Sequence, residues 1–563
     1  MAWGGGKFTV QNKVLPGYYF KLLSASKDAI QLSDRGKVAC GFKLDWGETG
    51  KAITISKGEF QKDCAKYFGY DYTAPELAPM REIFKYATHL TFYRLNGVNT
   101  SADGNAPAQA KCKWAKAKYP GVRGNDITIS VNLAVGGKTD TAEDDQYDVI
   151  TYLRDGEGNN IQKDKQRVKS LAEIEDNDFV VFERFSGQAG VYELSIVTPL
   201  EEGDEIRIGN KVYACDEAAA TAAAQATAIA ALFAKDADFS VVATDTKVIF
   251  TQKIPGVGNM PELDEDKLIG GVVSMSIIVD QYQKLTEDAG SRMSGGENGA
   301  STGADHQDCL TAFERVHYHC LICNTNDAVT MSLYSEYQKR MSHDCGKVAQ
   351  CVTFGYDSDG KIFEPDNYNI IVVENKVITP NVPEYYGIFW VGGAEGGCAV
   401  NKTVQNRIYD GEYKFDTDYT QDELAYNLSH GRFMFHETMN MDNSTDVRVL
   451  DDINSYVTVT EEENSNYKKN QLIRVIYQII FDVGGTFNEK WQGVTPNDAN
   501  GRAAFKGVVV KYLLTLQGIR AIQNVDEDRV LVEQGDTKGA VYMAIPVNNV
   551  VAMFQCYNVI TAE

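Results

Sequence analysis

At 563 residues, 43% of them hydrophobic and 24% charged, the chain has the composition of a folded globular protein and, at roughly 150 residues per domain, the length of about three or four domains. Its 55 basic residues against 78 acidic ones leave a formal charge of −23, a surface that repels phosphate backbones and argues against general nucleic-acid binding. No stretch of eighteen or more apolar residues offers a membrane-spanning helix.

The opening residues MAWGGGKFTVQNK lack the apolar core of a secretory signal, so the chain is expected to begin in the cytosol of the cell that makes it. Residues 7–22 alternate apolar and polar side chains around Phe8, Val10 and Val14 before meeting Pro16-Gly17, the pattern of an extended arm with a turn. Short strands follow to about residue 55. A helix is then predicted over 57–68, with Phe60, Cys64 and Phe68 on one face. A second helix over 79–87 leads to a strand at 90–95. The loop-like stretch 97–112 introduces a β-rich segment with strands at 127–133, 147–153 and 179–185. Residues 191–270 read as a self-contained insertion. It begins with a hairpin, 206–208 and 212–215, around Gly209-Asn210. An alanine-rich helix over 217–235 follows, capped by Asp216 and anchored by Ile229, Leu232 and Phe233. Strands at 239–243 and 247–252 complete a ββαββ unit.

Past a Gly- and Ser-rich loop at 290–304 the rhythm changes. Helices near 306–315 and up to 341, the second capped by Asn326 or Asp327, alternate with apolar strands at 318–323, 348–354 and 369–373. That order predicts a mostly parallel sheet with helices on its faces. Further helices are expected at 421–428, 470–482 and 500–516. In the 470–482 helix, Leu472, Val475, Ile476, Ile479 and Ile480 recur at helical spacing, which predicts a core-facing stripe. The end, 541–560, is extended and apolar.

Eleven cysteines without framework spacing are expected to be reduced and mostly buried. The cluster from His317 through Cys320 and Cys323 to His343, Cys345 and Cys351 contains a CxxC that would suit zinc or thiol chemistry. Its CxxC lies in a strand, however, where alternation sends Cys320 and Cys323 to opposite faces. Structural thiols are therefore the better reading. The glycine pairs Gly392-Gly393 and Gly484-Gly485 lack a phosphate-cradling pattern and are read as loops or helix ends. Basic residues gather at Lys111, Lys113, Lys116, Lys118 and Arg123, and again at Arg502, Lys506, Lys511 and Arg520. In so acidic a chain each group is either a docking surface for an acidic partner or a plain solvated face. The 30 tyrosines are a weak pointer to wide interfaces.

Three segments carry a resemblance. They are GGGKFTVQNKVLPGYYFKL at 4–22, AKAKYPGVRGNDITISV at 115–131, and PNDANGRAAFKGVVVKYLLTLQGIRAIQNVDEDRVLVEQGDTKGAVYMAIPV at 496–547. Together they resemble the contractile tail sheath proteins of myophages, above all the sheaths of defective prophages and phage-tail-like bacteriocins of Gram-positive bacteria. The insertion at 191–270 departs from simpler members. The resemblance implies an α+β multidomain fold: an inner α/β domain built from both chain ends, with β-rich outer domains inserted and extended arms at both termini. On that reading 1–24 is an N-terminal strand-exchange arm and 25–96 the first part of the sheath core. Residues 97–190 form a β-rich outer domain, 191–270 the inserted outer domain and 271–380 an α/β domain. Residues 381–539 form the tube-facing core and 540–563 the C-terminal arm.

The same resemblance implies a structural subunit and not an enzyme, with no cofactor or metal. Hexameric rings would stack helically around a tail tube, and contraction would drive the tube through the bacterial envelope. Phe8, Val10 and Val14 would be exchanged positions of the N-terminal arm, and Val541, Met543, Ile545 and Val547 their C-terminal counterparts. Arg502, Lys506 and Lys511 would dock on the tube. The implied partners are neighbouring copies of the chain, the tube protein, and baseplate and tail terminator proteins, with no nucleic acid and no membrane insertion. The implied location is the virion tail, assembled in the host cytoplasm. The alternatives are another phage polymer, tube or capsid, or a zinc or thiol protein built on the His317–Cys351 cluster. Bare apolar strands at both ends recruit partners whatever the family, and strand addition converts them into intersubunit hydrogen bonds.

Overall fold

The largest sheet draws its strands from segments far apart in the chain. The computed structural model describes residues 30–97, 108–138, 145–216, 221–264 and 272–561, and the backbone of Gly4–Lys7 and Gly17–Phe20. Its strand order in that sheet is Arg432–Phe433, Ile370–Val373, Gln350–Phe354, Cys320–Ile322, Lys37–Phe42, His89–Arg94 and Ile53–Ser56. The first six run parallel, and Ile53–Ser56 closes one edge antiparallel to His89–Arg94. The middle strands are short unbroken apolar runs because helices cover both faces.

One face carries the helices Lys57–Phe68, Ala78–Phe84 and Gly387–Gly397, with Phe60, Phe68, Ile83, Phe389 and Trp390 buried between them and the sheet. The other carries Gly303–Phe313 and Ala328–His343, through Leu310, Phe313, Met331 and Tyr334. The predicted helix starts hold up chemically. Ser56 and Glu59 form a reciprocal capping box, and Asp327 accepts from the Thr330 N–H at 2.8 Å.

Gly392 and Gly393 are neither loop nor helix end: they lie inside Gly387–Gly397. A Cβ on Gly393 would stand 2.4 Å from the Ile83 carbonyl oxygen, and one on Gly397 2.2 Å from that of Tyr86. The two helices thus meet backbone to backbone, which only residues without a side chain allow. Gly484 and Gly485, by contrast, stand in the last turn of the helix Asn470–Thr486, at a helix end as expected.

The β-rich segment is a four-stranded antiparallel sheet in the order Asp288–Arg292, Ile127–Leu133, Tyr147–Arg154 and Asn160–Val168. Trp46, from the N-terminal part of the chain, packs into its core beside Trp114. Arg123 is buried here and is not a docking charge. Its guanidinium donates to Gly69 O at 2.6 Å and Arg154 O at 2.7 Å, pairs with Asp126 at 2.8 Å and lies over the Tyr70 ring.

The insertion has the expected hairpin, Glu205–Ile208 with Lys211–Ala214, and the expected strands Phe239–Thr244 and Lys247–Gln252. Two flanking strands, Val191–Ile196 and Val273–Val279, complete a four-stranded sheet. Its helix is Ala222–Leu232, capped by Thr221 rather than Asp216, and Leu232 faces solvent while Ala226, Ile229 and Phe233 anchor the helix. With so many alanines, the large residues alone do not mark the buried side. A paired neck joins insertion to β-rich sheet: Phe185 stacks on Tyr282 at 5.5 Å, and Ser186 N–H donates to Gln281 O.

Candidate assembly interface

Two amphipathic helices form the C-terminal unit. Asn470–Thr486 and Ala499–Gly518 pack through Val475, Ile479, Val483, Phe505, Val509, Leu513 and Leu516, and Ile30 from the other end of the chain joins the same cluster. Polar bonds reinforce this closure. Ser33 Oγ donates to Asp482 Oδ1 at 2.6 Å, and the Tyr512 hydroxyl donates to Asp482 Oδ2 at 2.6 Å.

The apolar stripe on Asn470–Thr486 is divided between two jobs. Val475 and Ile479 are buried, but Leu472 and Ile476 are half-buried and Ile480 is 43% exposed. The covered face includes Ile473, Tyr477 and Val483 instead. Leu472, Ile476 and Ile480 form the floor of an open groove of about 890 Å³, whose far wall is Met543, Ile545, Val547 and Phe554.

The C-terminal candidates Val541, Met543, Ile545 and Val547 are all half-buried. Val541–Ala544 pairs antiparallel with Leu531–Gln534 of the same chain, and Met543, Ile545 and Val547 pack on the C-terminal core. Beyond them the chain runs without regular structure, and its apolar side chains face solvent: Met553 is 100% exposed, Tyr557 89%, Val559 90% and Ile560 85%. Phe8, Val10 and Val14 lie outside the described residues. On either side of them Gly4–Lys7 and Gly17–Phe20 pair in parallel.

Of the tube candidates, Arg502 is committed locally: its Nη1 donates to Asn497 O at 2.9 Å and Asn497 Oδ1 at 3.1 Å. Lys506 and Lys511 border a shallow hollow of about 370 Å³ with Ala503, Gly507, Leu514 and one acid, Glu527.

The cysteine cluster divides as alternation requires. Cys320 packs in the layer of Gly387–Gly397, and Cys323 and Cys351 pack in the layer of Gly303–Phe313 and Ala328–His343. The two thiols of the CxxC therefore cannot share an ion. Burial pushes the Cys323 thiol up to about 12, far from the thiolate that metal or nucleophilic chemistry needs. His317 stacks on Phe481 at 3.8 Å, and burial and then Lys37 and Arg35 bring its imidazole down to about 4. Among the described residues no group of three or more His, Cys, Asp or Glu could hold a metal, and no helix is long and apolar enough to cross a membrane.

Three family models match the chain: the phage tail sheath protein central domain over residues 299–455, the phage tail sheath C-terminal domain over 462–562, and the tail sheath protein Gp18 domain III N-terminal region over 35–95. These matches leave the β-rich segment and its insertion uncovered. The chain is similar to the phage-like element PBSX protein XkdK of Bacillus subtilis, 26% identical over 93% of this chain and 92% of the relative. It is 25% identical to the uncharacterized protein YqbK of the same strain, over the same shares. Among solved structures, the sheath tail protein of Desulfitobacterium hafniense matches with a TM-score of 0.63 at 24% identity, covering 95% of this chain and 96% of that one. That of Listeria innocua matches with a TM-score of 0.62 at 20% identity, covering 93% and 94%.

Proposed function

The chain belongs to the contractile phage tail sheath family, and from that premise we propose that it is a structural, non-enzymatic subunit that polymerises as stacked hexameric rings around a tail tube and contracts to drive the tube through the bacterial envelope. The observation that carries the reading is the pairing of an exposed apolar C-terminal segment, residues 551–560, with an open groove on the same unit whose floor is apolar and whose rim is polar. A chain bearing both a donor and an acceptor joins head to tail, and such contacts propagate into rings and helices. The groove and the hairpin Leu531–Gln534/Val541–Ala544 act as acceptor. Val541, Met543, Ile545 and Val547 serve by holding that acceptor open, and residues 551–560 are donated to the next subunit. The N-terminal arm, with Phe8, Val10 and Val14, is donated in the same manner.

The inner domain is built from both chain ends, and the β-rich segment and insertion project outward, away from the tube. The partners are further copies of the chain, the tube protein, and baseplate and tail terminator proteins. The subunit is assembled in the host cytoplasm, ends in the virion tail and needs no cofactor or nucleic acid.

Removing residues 1–20 is expected to leave soluble subunits with an unchanged circular dichroism spectrum that form no tubes in negative-stain micrographs. Tubes of ordinary length from that deletion would refute strand exchange by this arm. Lys506 and Lys511 are the proposed tube-docking charges, with Arg502 shaping the start of their helix. Reversing both, Lys506→Glu with Lys511→Glu, is expected to lower co-sedimentation with tube protein by about tenfold or more at low salt. Undiminished co-sedimentation would move the tube contact elsewhere.

A further inference from the structure

The joint between the central sheet and the C-terminal helices is ionic and buried. Arg474, on Asn470–Thr486, donates to Glu395 Oε2 at 2.5 Å, to Asp452 Oδ2 at 3.4 Å and to Lys402 O at 2.7 Å. Glu395 belongs to Gly387–Gly397, where a Cβ on Gly396 would stand 2.6 Å from the Val38 side chain of the sheet. Asp452 Oδ2 also accepts from the Thr403 hydroxyl at 2.7 Å and the Val404 N–H at 3.1 Å. Arg35 donates to the backbone carbonyls of Cys398 at 2.8 Å and Glu395 at 3.5 Å, so its donors go to the backbone and not to either carboxyl group.

Two oxygens are left over. Glu395 Oε1 and Asp452 Oδ1 are buried and have no donor, and one nitrogen, Arg474 Nη2, bonds both carboxyl groups and so holds them side by side. Two ionised carboxylates repel in that arrangement, and a buried acceptor without a donor is costly. One proton between them removes both penalties.

We propose that Glu395 and Asp452 share one proton, and that this proton-bridged pair, clamped by Arg474, is a pH-gated latch fastening the C-terminal helices to the central sheet. The proton sits on Glu395 Oε1 and is donated to Asp452 Oδ1. Asp452 keeps the charge because three donors converge on its other oxygen. Burial alone would raise its carboxyl, but Arg474, the bond from Glu395 and the Thr403 and Val404 donors hold it below the ordinary carboxylate range. Burial, and then the charge of Asp452, push Glu395 up to about 8 against the pull of Arg474. The remaining titratable or charged groups facing the pair are Arg35, Cys320 and Cys398.

The sign follows from proton counting. Between about 4.3, the ordinary glutamate value, and about 8 the folded chain binds a proton that the unfolded chain has lost. This group's stabilisation is full below the ordinary value and falls as pH rises through that window. Above it the loss is complete, and the latch is left with two facing carboxylates.

The test is infrared spectroscopy of the full chain against two variants. Glu395→Gln keeps the shape and the donor of the neutral acid, so it is expected to fold with an unchanged circular dichroism spectrum. The wild-type-minus-variant spectrum should show a protonated-carboxyl band at about pH 6 that is gone by about pH 9.5. Subtraction cancels the contribution of Glu82, a second buried carboxyl pushed up to about 7 by burial. Glu395→Gln should also lose part of the wild-type fall in melting temperature across that interval. Asp452→Asn supplies its own N–H to Glu395, which should then ionise and erase the same band. The latch is overturned by a missing difference band at about pH 6, by a band that persists in Asp452→Asn, by an unchanged pH profile in Glu395→Gln, or by failure of Glu395→Gln to fold.

Discussion

A chain ending at Val550 is expected to fold as the full chain does and to remain monomeric where the full chain forms tubes. The side chains removed with residues 551–563 bury little. Met553, Tyr557, Val559 and Ile560 each leave at least 85% of their surface in solvent. The bonds lost include the Ala552 N–H to Gln471 Oε1 at 3.1 Å and the Lys469 ammonium over the Phe554 ring. Such surface contacts are worth about 1 kcal/mol or less, so the denaturant midpoint should hardly move. Assembly is a different matter. If residues 551–560 supply a strand to the next subunit, each contact they make loses its backbone ladder and its apolar side chains together, and the N-terminal arm alone does not close the mesh. The loss should be total by sedimentation and by electron microscopy. Tubes from the shortened chain would show that this segment is not the donor. A subunit that unfolds on truncation would show that residues 551–560 belong to its own core.

That separation of self from partner is also what the sequence hides. The helix over 470–486 was legible as an apolar helix, but its apolar residues cover more than one face. Periodicity cannot tell Val475, covered by the chain itself, from Ile480, left open beside a groove. The extended run at 541–560 was visible for the same reason and ambiguous for the same reason. Its first half pairs with Leu531–Gln534 and its second half stands free. Strands such as 320–322 and 350–354 were legible as short apolar runs flanked by helices, whereas the place of Cys320–Ile322 beside Lys37–Phe42 depends on contacts some 280 residues apart along the chain. The alternation of Cys320 and Cys323 was readable because it is local geometry. Gly393 was misread because its role lies in the carbonyl of Ile83, which no neighbouring residue announces.

Replacing Arg474 by leucine is expected to cost about 3–5 kcal/mol at neutral pH, the range for removing one partner from a buried ionic cluster. The side chain is 1% exposed and makes three of the bonds that hold the joint. Without it Asp452 keeps a charge with no counter-charge in contact, and the Lys402 carbonyl loses its donor. The companion measurement separates charge from packing. In a background carrying Glu395→Gln and Asp452→Asn no carboxylate remains, so Arg474→Leu should cost far less than in the wild type, the difference being the coupling energy of the cluster. Equal costs in both backgrounds would mean that Arg474 acts by filling space. A large coupling would identify the joint as a bond between two otherwise separable layers, the sheet of 320–433 and the helices of 470–518. In the proposed contraction a subunit has to keep such layers together while its neighbours move. The Arg474 substitution should then weaken the subunit before it weakens any arm. Truncation at Val550 does the reverse, so the two variants together divide the forces within a subunit from those between subunits.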